Sequence, residues 1–317
     1  MPFLVCRDGE PVPTAIAGAV VAIGNFDGVH RGHQALLAQA REAAGRQRRP
    51  SAVLTFEPHP RAVLNPDAPL FRLTPEPVKL ALFKRFGLDG AIVLRFDGDL
   101  AALSAEAFVT GVLVRALRVR GIAVGHDFHF GRGREGTPAR LEELCRANGL
   151  DCTVVPAVVE AGCIVSSSAI RAALERGDVA VANRLLGYRW FVRAHVRPGD
   201  ARGRTLGYPT ANLRLGDDCR LRHGIYAVRA FLDGRPFDAV ASFGRRPTFD
   251  NGAPLLEVHL FDFAADLYGR VLDVEFVGWI RGEERFDAVE ALVARMDQDS
   301  EEARRLLADD RTPSAAG

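Results

Sequence analysis

Hydrophobic and polar positions follow two different rhythms along this chain. In roughly the first 185 residues, short runs are continuously apolar: Ala19-Val20-Val21-Ala22-Ile23, Ser51-Ala52-Val53-Leu54-Thr55-Phe56, Gly90-Ala91-Ile92-Val93-Leu94-Arg95-Phe96 and Gly121-Ile122-Ala123-Val124-Gly125. Such runs predict strands buried on both faces. Segment 33–43 is rich in helix formers with an apolar stripe, further helices are predicted around 76–86 and 138–147, and Ser104 predicts the N-cap of a long helix. A further apolar run spans 153–159. The alternation predicts an α/β fold with a doubly wound parallel sheet. Beyond about residue 187 the runs 224–231, 257–261 and 271–277 are separated by turn signals, Asp233-Gly234 and Asn251-Gly252, instead of helices. A helix near 287–296 and a second after Ser300 complete the pattern. The second half is therefore predicted to be a small antiparallel β-barrel with C-terminal helices. Domains are expected at 1–186 and 187–311, with 312–317 a frayed tail.

Composition narrows the function classes. The 317 residues are 48% hydrophobic and 26% charged, enough for two full cores. A net charge of +1 gives no broad footprint for nucleic acid or for a membrane surface. Five scattered cysteines include no CxxC pair, which argues against a disulfide framework or a zinc ribbon. No signal-like start and no apolar stretch of about 20 residues is present, so a cytoplasmic location is expected. The only lysines are Lys79 and Lys84, and neither lies in a GxxxxGK[ST] loop. Any phosphoryl transfer here proceeds without a P-loop, and no kinase-type His-Arg-Asp loop is present.

Four stretches carry candidate chemistry. Gly24-Asn25-Phe26-Asp27-Gly28-Val29-His30-Arg31-Gly32-His33 joins a strand to a helix start. Small residues admit a phosphate to the backbone, and the helix N-terminus offers free N–H groups and a partial positive charge. His30 and His33, in the first turn, are spaced to point at one place and to hydrogen-bond developing charge. Ser166-Ser167-Ser168-Ala169-Ile170-Arg171 predicts a serine-capped helix whose first turn, with Arg171, presents backbone, hydroxyl and guanidinium donors to a phosphate chain. Gly125-His126-Asp127-Phe128-His129-Phe130-Gly131 is a glycine-dense loop after a strand, and Gly203-Arg204-Thr205-Leu206-Gly207-Tyr208-Pro209-Thr210-Ala211-Asn212 lies in the second half.

The His30–His33 motif resembles the HxGH signature of nucleotidylyltransferases. With the loop before it, the stretch is similar to the FMN adenylyltransferase half of bacterial bifunctional riboflavin kinase/FAD synthetases. Residues 166–171 resemble that family's SSTxIR motif, with Ser168 in the threonine position. The Asp127, Phe128, Phe130, Gly131 loop resembles its DFxFG motif, which the resemblance implies contacts flavin and nucleotide. Pro209-Thr210-Ala211-Asn212 resembles the riboflavin kinase signature, preceded by a phosphate loop at Gly203, Arg204 and Gly207. Thr210 and Asn212 offer neutral oxygens that suit Mg²⁺ beside nucleotide phosphates. The resemblance places the catalytic base at Glu257. A ribityl hydroxyl needs such a base to attack ATP. The FMN phosphate is already ionised, so adenylyl transfer needs alignment and charge stabilisation only. The implied substrates and products are riboflavin, FMN, FAD and ATP as co-substrate, with Mg²⁺ as cofactor and no nucleic acid or membrane partner. Two other readings remain at this point: a nucleotidylyltransferase for another phosphorylated metabolite, and a barrel that binds flavin without catalysis.

Overall fold

A computed structural model of the protein describes residues 2–68, 70–199, 203, 206–245 and 254–316. The chain divides into two compact units, Met1–Ser166 and Ser167–Gly317. Among the described residues of the first unit, β1 (Leu4–Arg7), β2 (Val20–Ile23), β3 (Ser51–Glu57), β4 (Gly90–Arg95), β5 (Gly121–Gly125) and β6 (Asp151–Val155) form a parallel sheet ordered β1-β4-β3-β2-β5-β6. Every residue of β2 is buried, as its unbroken apolar run requires. The helices are α1 (Arg31–Arg46), α2 (Pro60–Leu64), α3 (Glu76–Arg85), α4 (Gly98–Ala102), α5 (Ala105–Ala107) and α6 (Pro138–Ala147). The chain runs outward from β2 through β3 to β4, then returns to the other side of β2 at β5. The strand order thus reverses at β2, and crevices for ligands form at the carboxyl ends of strands at such a point.

Two expectations for this unit are refined. Ser104 caps its helix, accepting from Ala107 N at 3.1 Å, but after one turn the helix widens into a π segment, Phe108–Ala116, that buries Phe108, Val109 and Leu113. The run at 153–159 is a strand only to Val155, because Pro156 has no N–H to continue the ladder. Val159–Glu160 and Cys163–Ile164 (β7 and β8) pair as a separate short hairpin.

The second unit opens with α7 (Ser167–Arg176) and α8 (Val179–Leu186). Next come β9 (Phe191–Arg197), β10 (Ala211–Arg214), β11 (Gly224–Leu232), β12 (Arg235–Arg245), β13 (Pro254–Leu260) and β14 (Val271–Arg281). Among the described residues these six close an antiparallel barrel in the order β10-β13-β12-β11-β14-β9. Asp233-Gly234 makes the expected two-residue hairpin, with both residues at positive φ and Leu232 opposite Arg235. The Asn251-Gly252 turn and residues 246–249 lie outside the described residues. Along β13, Leu256, Val258 and Leu260 are buried while Leu255, Glu257 and His259 on the alternate face are half-buried.

The structure corrects two expectations at the C-terminal end of this unit. The compact units divide between Ser166 and Ser167, so α7 and α8 are grouped with the barrel. Asn183 explains why α8 belongs with the barrel: its Nδ2 donates to Phe276 O at 2.9 Å and its Oδ1 accepts from Trp190 N at 2.8 Å. A fragment beginning at Ser167 is accordingly expected to fold on its own, whereas one beginning at 187 loses these bonds and unfolds at lower denaturant. Two C-terminal helices are replaced by one, α9 (Val289–Asp309), which packs Ala303 and Leu307 onto the barrel's outer face. Ser300 does not start a new helix; its Oγ donates back to Met296 O at 2.8 Å.

The tail is docked, not frayed. Glu275, fully buried on β14, accepts from Ser314 Oγ at 2.6 Å, Ala315 N at 2.8 Å and Ala316 N at 3.0 Å through one carboxylate oxygen. Its other oxygen accepts from Arg189 Nη1 at 3.1 Å, and Arg189 also bonds Asp310. A buried carboxylate this well satisfied fixes chain that composition alone marks as loose. Glu275→Ala leaves Arg189 with Asp310 as its one carboxylate and removes the acceptor of Ser314, Ala315 and Ala316, and is expected to lower the denaturant midpoint and release the tail to proteolysis.

Candidate active sites

In the first unit, the stretch 24–33 leaves the carboxyl end of β2 as a tight turn. Phe26 has φ +51° and is fully buried, its ring meeting His33 edge-on at 5.2 Å and Phe83 of α3 at 5.4 Å. Asp27 is buried too, accepting from Thr74 N at 2.9 Å and Leu73 N at 3.3 Å. Gly28 N donates to Thr74 Oγ1 at 2.8 Å. Phe26 and Asp27 thus shape the loop from inside, while Asn25 is exposed and Gly24 half-buried. His30 caps α1, its Nδ1 accepting from His33 N at 3.3 Å, and the two imidazoles stack with centroids 3.6 Å apart and planes 15° apart. Burial, then His30 and then Lys79 hold His33 well below the ordinary histidine pKa. His33 is therefore a neutral imidazole at neutral pH. Its Nδ1 has no hydrogen-bond partner among the described residues.

A buried polar cluster beneath this turn escapes sequence reading. Lys79 Nζ, on α3, donates to Glu57 Oε1 at 2.8 Å, Thr55 Oγ1 at 3.2 Å and Asn25 O at 3.3 Å. Glu57 is also held by Arg72 in a two-pronged pair at 2.8 and 3.1 Å. The sequence signal was lysine scarcity: one of only two lysines in the chain is fully buried.

The glycine-rich loop folds on aromatic contacts. Phe128 stacks on Phe130 at 5.4 Å, and Phe130 pairs with Gly136 through two backbone bonds of 3.1 and 2.8 Å. Gly131 has φ +73°, and a Cβ there would lie 2.7 Å from Ala105 N, so only glycine fits. Asp127 is exposed, as are His126 and His129 beside it, and Phe128 is half-buried. Ser167, Ser168 and Arg171 stand in the second unit at the start of α7, with Arg171 in the second helical turn rather than the first.

In the second unit, Thr210 and Glu257 line one cleft of about 350 Å³, with His259, Arg281, Glu283 and Met296 among its other walls. Glu257 lies opposite Asn212 on β10 and opposite Ser242 on β12. Thr210 immediately precedes β10, and Asn212 is the second residue of that strand. Asn212 is buried, and a Cβ at Gly199 would stand 2.3 Å from its Nδ2. His259 Nδ1 donates to Pro209 O at 2.9 Å, tying the segment before β10 to β13. Gly203 O accepts from Leu206 N at 3.0 Å and Tyr208 N at 2.8 Å, closing a turn. A Cβ on Gly203 would meet Tyr208 O at 2.2 Å. Tyr208 bonds Asp297 of α9; burial and that carboxylate raise its phenol pKa. Gly207 and Pro209 are exposed, and Arg204 lies outside the described residues. Thr210 also lines a second cleft of about 450 Å³, walled by Val258, Leu260, Phe263 and Tyr268. Thr210 is thus common to the linings of both clefts.

A parallel sheet with two stacked histidines at its switch point, and a barrel with a carboxylate beside a threonine–asparagine strand, describe a nucleotide-using enzyme of two catalytic units. A family model for FAD synthetase matches residues 12–169 and one for riboflavin kinase matches residues 186–307. The chain is 41% identical over 291 residues to the bifunctional riboflavin kinase/FMN adenylyltransferase of Escherichia coli K12, covering 92% of this chain and 93% of that protein. It is 36% identical over 297 residues to the protein of the same name from Bacillus subtilis, covering 92% and 93%. Among solved structures it superposes with TM-score 0.85 and 32% identity on a chain titled a macrolide-efflux protein from Streptococcus pneumoniae, covering 95% and 98%. The chain belongs to the bifunctional riboflavin kinase/FMN adenylyltransferase family. It is an enzyme with a FAD synthetase domain followed by a riboflavin kinase domain, using ATP in both. Among the described residues no helix is long and apolar enough to cross a membrane.

Proposed function

We propose that Glu257 is the general base of riboflavin phosphorylation and that the 24–33 turn carries adenylyl transfer. The observation that carries the first assignment is the sharing of one cleft by Glu257 and Thr210, with Asn212 in register opposite the carboxylate. In this reading the cleft holds the flavin acceptor, the second cleft holds the nucleotide, and Thr210 stands where the γ-phosphoryl group passes. Glu257 takes the proton of the ribityl hydroxyl as its oxygen attacks phosphorus and ADP departs. Gly203, Arg204, Gly207 and Pro209 form the phosphate loop.

The donor set of Thr210 hydroxyl and Asn212 amide oxygen fits Mg²⁺, a hard cation that takes few protein oxygens and completes its shell with phosphates and water. Bound there, Mg²⁺ would neutralise phosphate charge. In the first unit, the FMN phosphate attacks the α-phosphorus of ATP and pyrophosphate leaves. His30 and His33 hydrogen-bond the phosphates, and the backbone of Gly24, Asn25 and Gly28 lines their path. Phe26 and Asp27 keep the turn in shape. Ser167, Ser168 and Arg171 offer further phosphate donors, and Asp127, Phe128, Phe130 and Gly131 a surface for flavin or nucleotide. The domains are read as 1–186 and 187–311, with 167–186 packed on the barrel, and the free cysteines support a reducing, cytoplasmic setting.

Incubating the purified chain with riboflavin and ATP, with and without Mg²⁺, and separating the flavins by chromatography tests this reading. FMN followed by FAD, only when Mg²⁺ is present, is the expected result. Undiminished FMN formation in a chelator would remove Thr210 and Asn212 as metal ligands.

A further inference from the structure

We propose that Lys79 is a positioning residue for adenylyl transfer, holding the Asn25–Phe26 turn, and through it His33, from beneath. This rests on the reading that the His30–His33 turn is the adenylyl-transfer site. Lys79 and Phe83 stand four residues apart, on one face of α3. Lys79 donates to the Asn25 carbonyl at 3.3 Å, while the Phe83 ring meets that of Phe26 at 5.4 Å. Phe26 in turn meets His33 at 5.2 Å. One helix face therefore grips two consecutive residues of the turn, and the second carries the histidine. With 1% of its surface exposed, Lys79 is too enclosed to serve as a surface phosphate binder.

A buried ammonium is costly unless compensated, and here Glu57 and Thr55 supply the compensation. Retaining a charge at this position has an electrical consequence. Around His33 and Lys79 stand His30 at the N-cap of α1, Glu57 from β3, and Arg72 and Asp27 from the flanking loops. Within this set Lys79 and His30 oppose protonation of His33. Removing Lys79 should therefore let His33 take up a proton at higher pH, nearer the ordinary histidine value.

The test uses the full-length chain. Because it has two lysines, labelling lysine side chains with ¹⁵N gives two ammonium resonances, and Lys79→Met identifies that of Lys79. In the unmodified protein the Lys79 resonance is expected to move as His33 titrates, and to stop doing so in His33→Ala, since coupling between two sites is reciprocal. Lys79→Met should lower kcat for FAD formation by about 100-fold, the scale of a small misplacement. The acid limb of its pH profile and the His33 NMR titration should both move to higher pH, with riboflavin phosphorylation unchanged. Lys79→Gln keeps a donor for Asn25 O but no charge, and should recover part of kcat while retaining the displaced pH profile. Parental kcat with an unmoved His33 titration in Lys79→Met overturns the assignment. So does a Lys79 resonance indifferent to His33 in the unmodified protein, a result that does not depend on any variant folding. If His33→Ala still makes FAD at the parental rate, the site reading itself fails; if it is inactive while Lys79→Met is normal, only the role of Lys79 fails.

Discussion

Glu257→Gln is expected to lose about 10²–10⁴ of its riboflavin kinase rate while still converting FMN and ATP to FAD. Glutamine preserves the volume and one acceptor oxygen, so the cleft keeps its shape and flavin and nucleotide keep their contacts. What it lacks is the capacity to accept the proton of the ribityl hydroxyl. Adenylyl transfer supplies an internal control, because its nucleophile is a phosphate that is ionised before it arrives. Chromatography of the flavins formed from riboflavin, and separately from FMN, reads both rates in one preparation. A variant that still phosphorylates riboflavin at near-parental turnover would show that another group takes the proton. Asp262, close by in sequence, is a poor substitute: it is exposed, pairs with Arg304 at 3.2 Å and lines a different depression. Glu283 and Glu284, which line the same cleft as Glu257, are the carboxylates to test next.

His33→Ala is expected to lower FAD formation by about 10²–10³, with riboflavin phosphorylation at the parental level. The imidazole is neutral at neutral pH, so it acts on developing charge as a hydrogen-bond donor and not as a fixed cation. Because its pKa is lowered, the neutral form is lost only well to the acid side of the ordinary histidine range, and adenylyl transfer should hold its pH plateau through neutrality. The substitution also removes the ring stacked on His30 at 3.6 Å, so His30→Ala should be compared in parallel. Equal losses of both activities would point to misfolding, and undiminished FAD synthesis would exclude His33 from the site.

The parts of this molecule that could be read in advance are those in which neighbouring residues act together. The apolar run of β2 specifies a buried strand locally, and the glycine–histidine stretch after it is contiguous, so sheet and turn were both legible. The Asp233-Gly234 hairpin was legible for the same reason. The Lys79–Glu57–Arg72–Asn25 cluster was not, because its members come from a helix, a strand and two loops that only the fold brings together. Ser300 misled because a serine can cap a helix or bond backward within one, and burial of Ala303 and Leu307 on the barrel decides which. Residues 312–316 misled because small, polar composition predicts fraying. Their partner, Glu275, lies some forty residues earlier and is hidden in the barrel wall. The Thr210–Glu257 juxtaposition depends on strand register, which the motifs named but could not measure.

The burial of Lys79 leaves the chain with a single solvent-facing lysine amine, that of Lys84 in the last turn of α3. Amine-directed reagents would therefore modify the folded enzyme's lysines at one place. A dye or tether coupled there would report from, or anchor through, the outer face of the first unit. Support-bound enzyme attached through Lys84 would be oriented nearly uniformly, and the extent of any further lysine acylation would measure how often α3 opens.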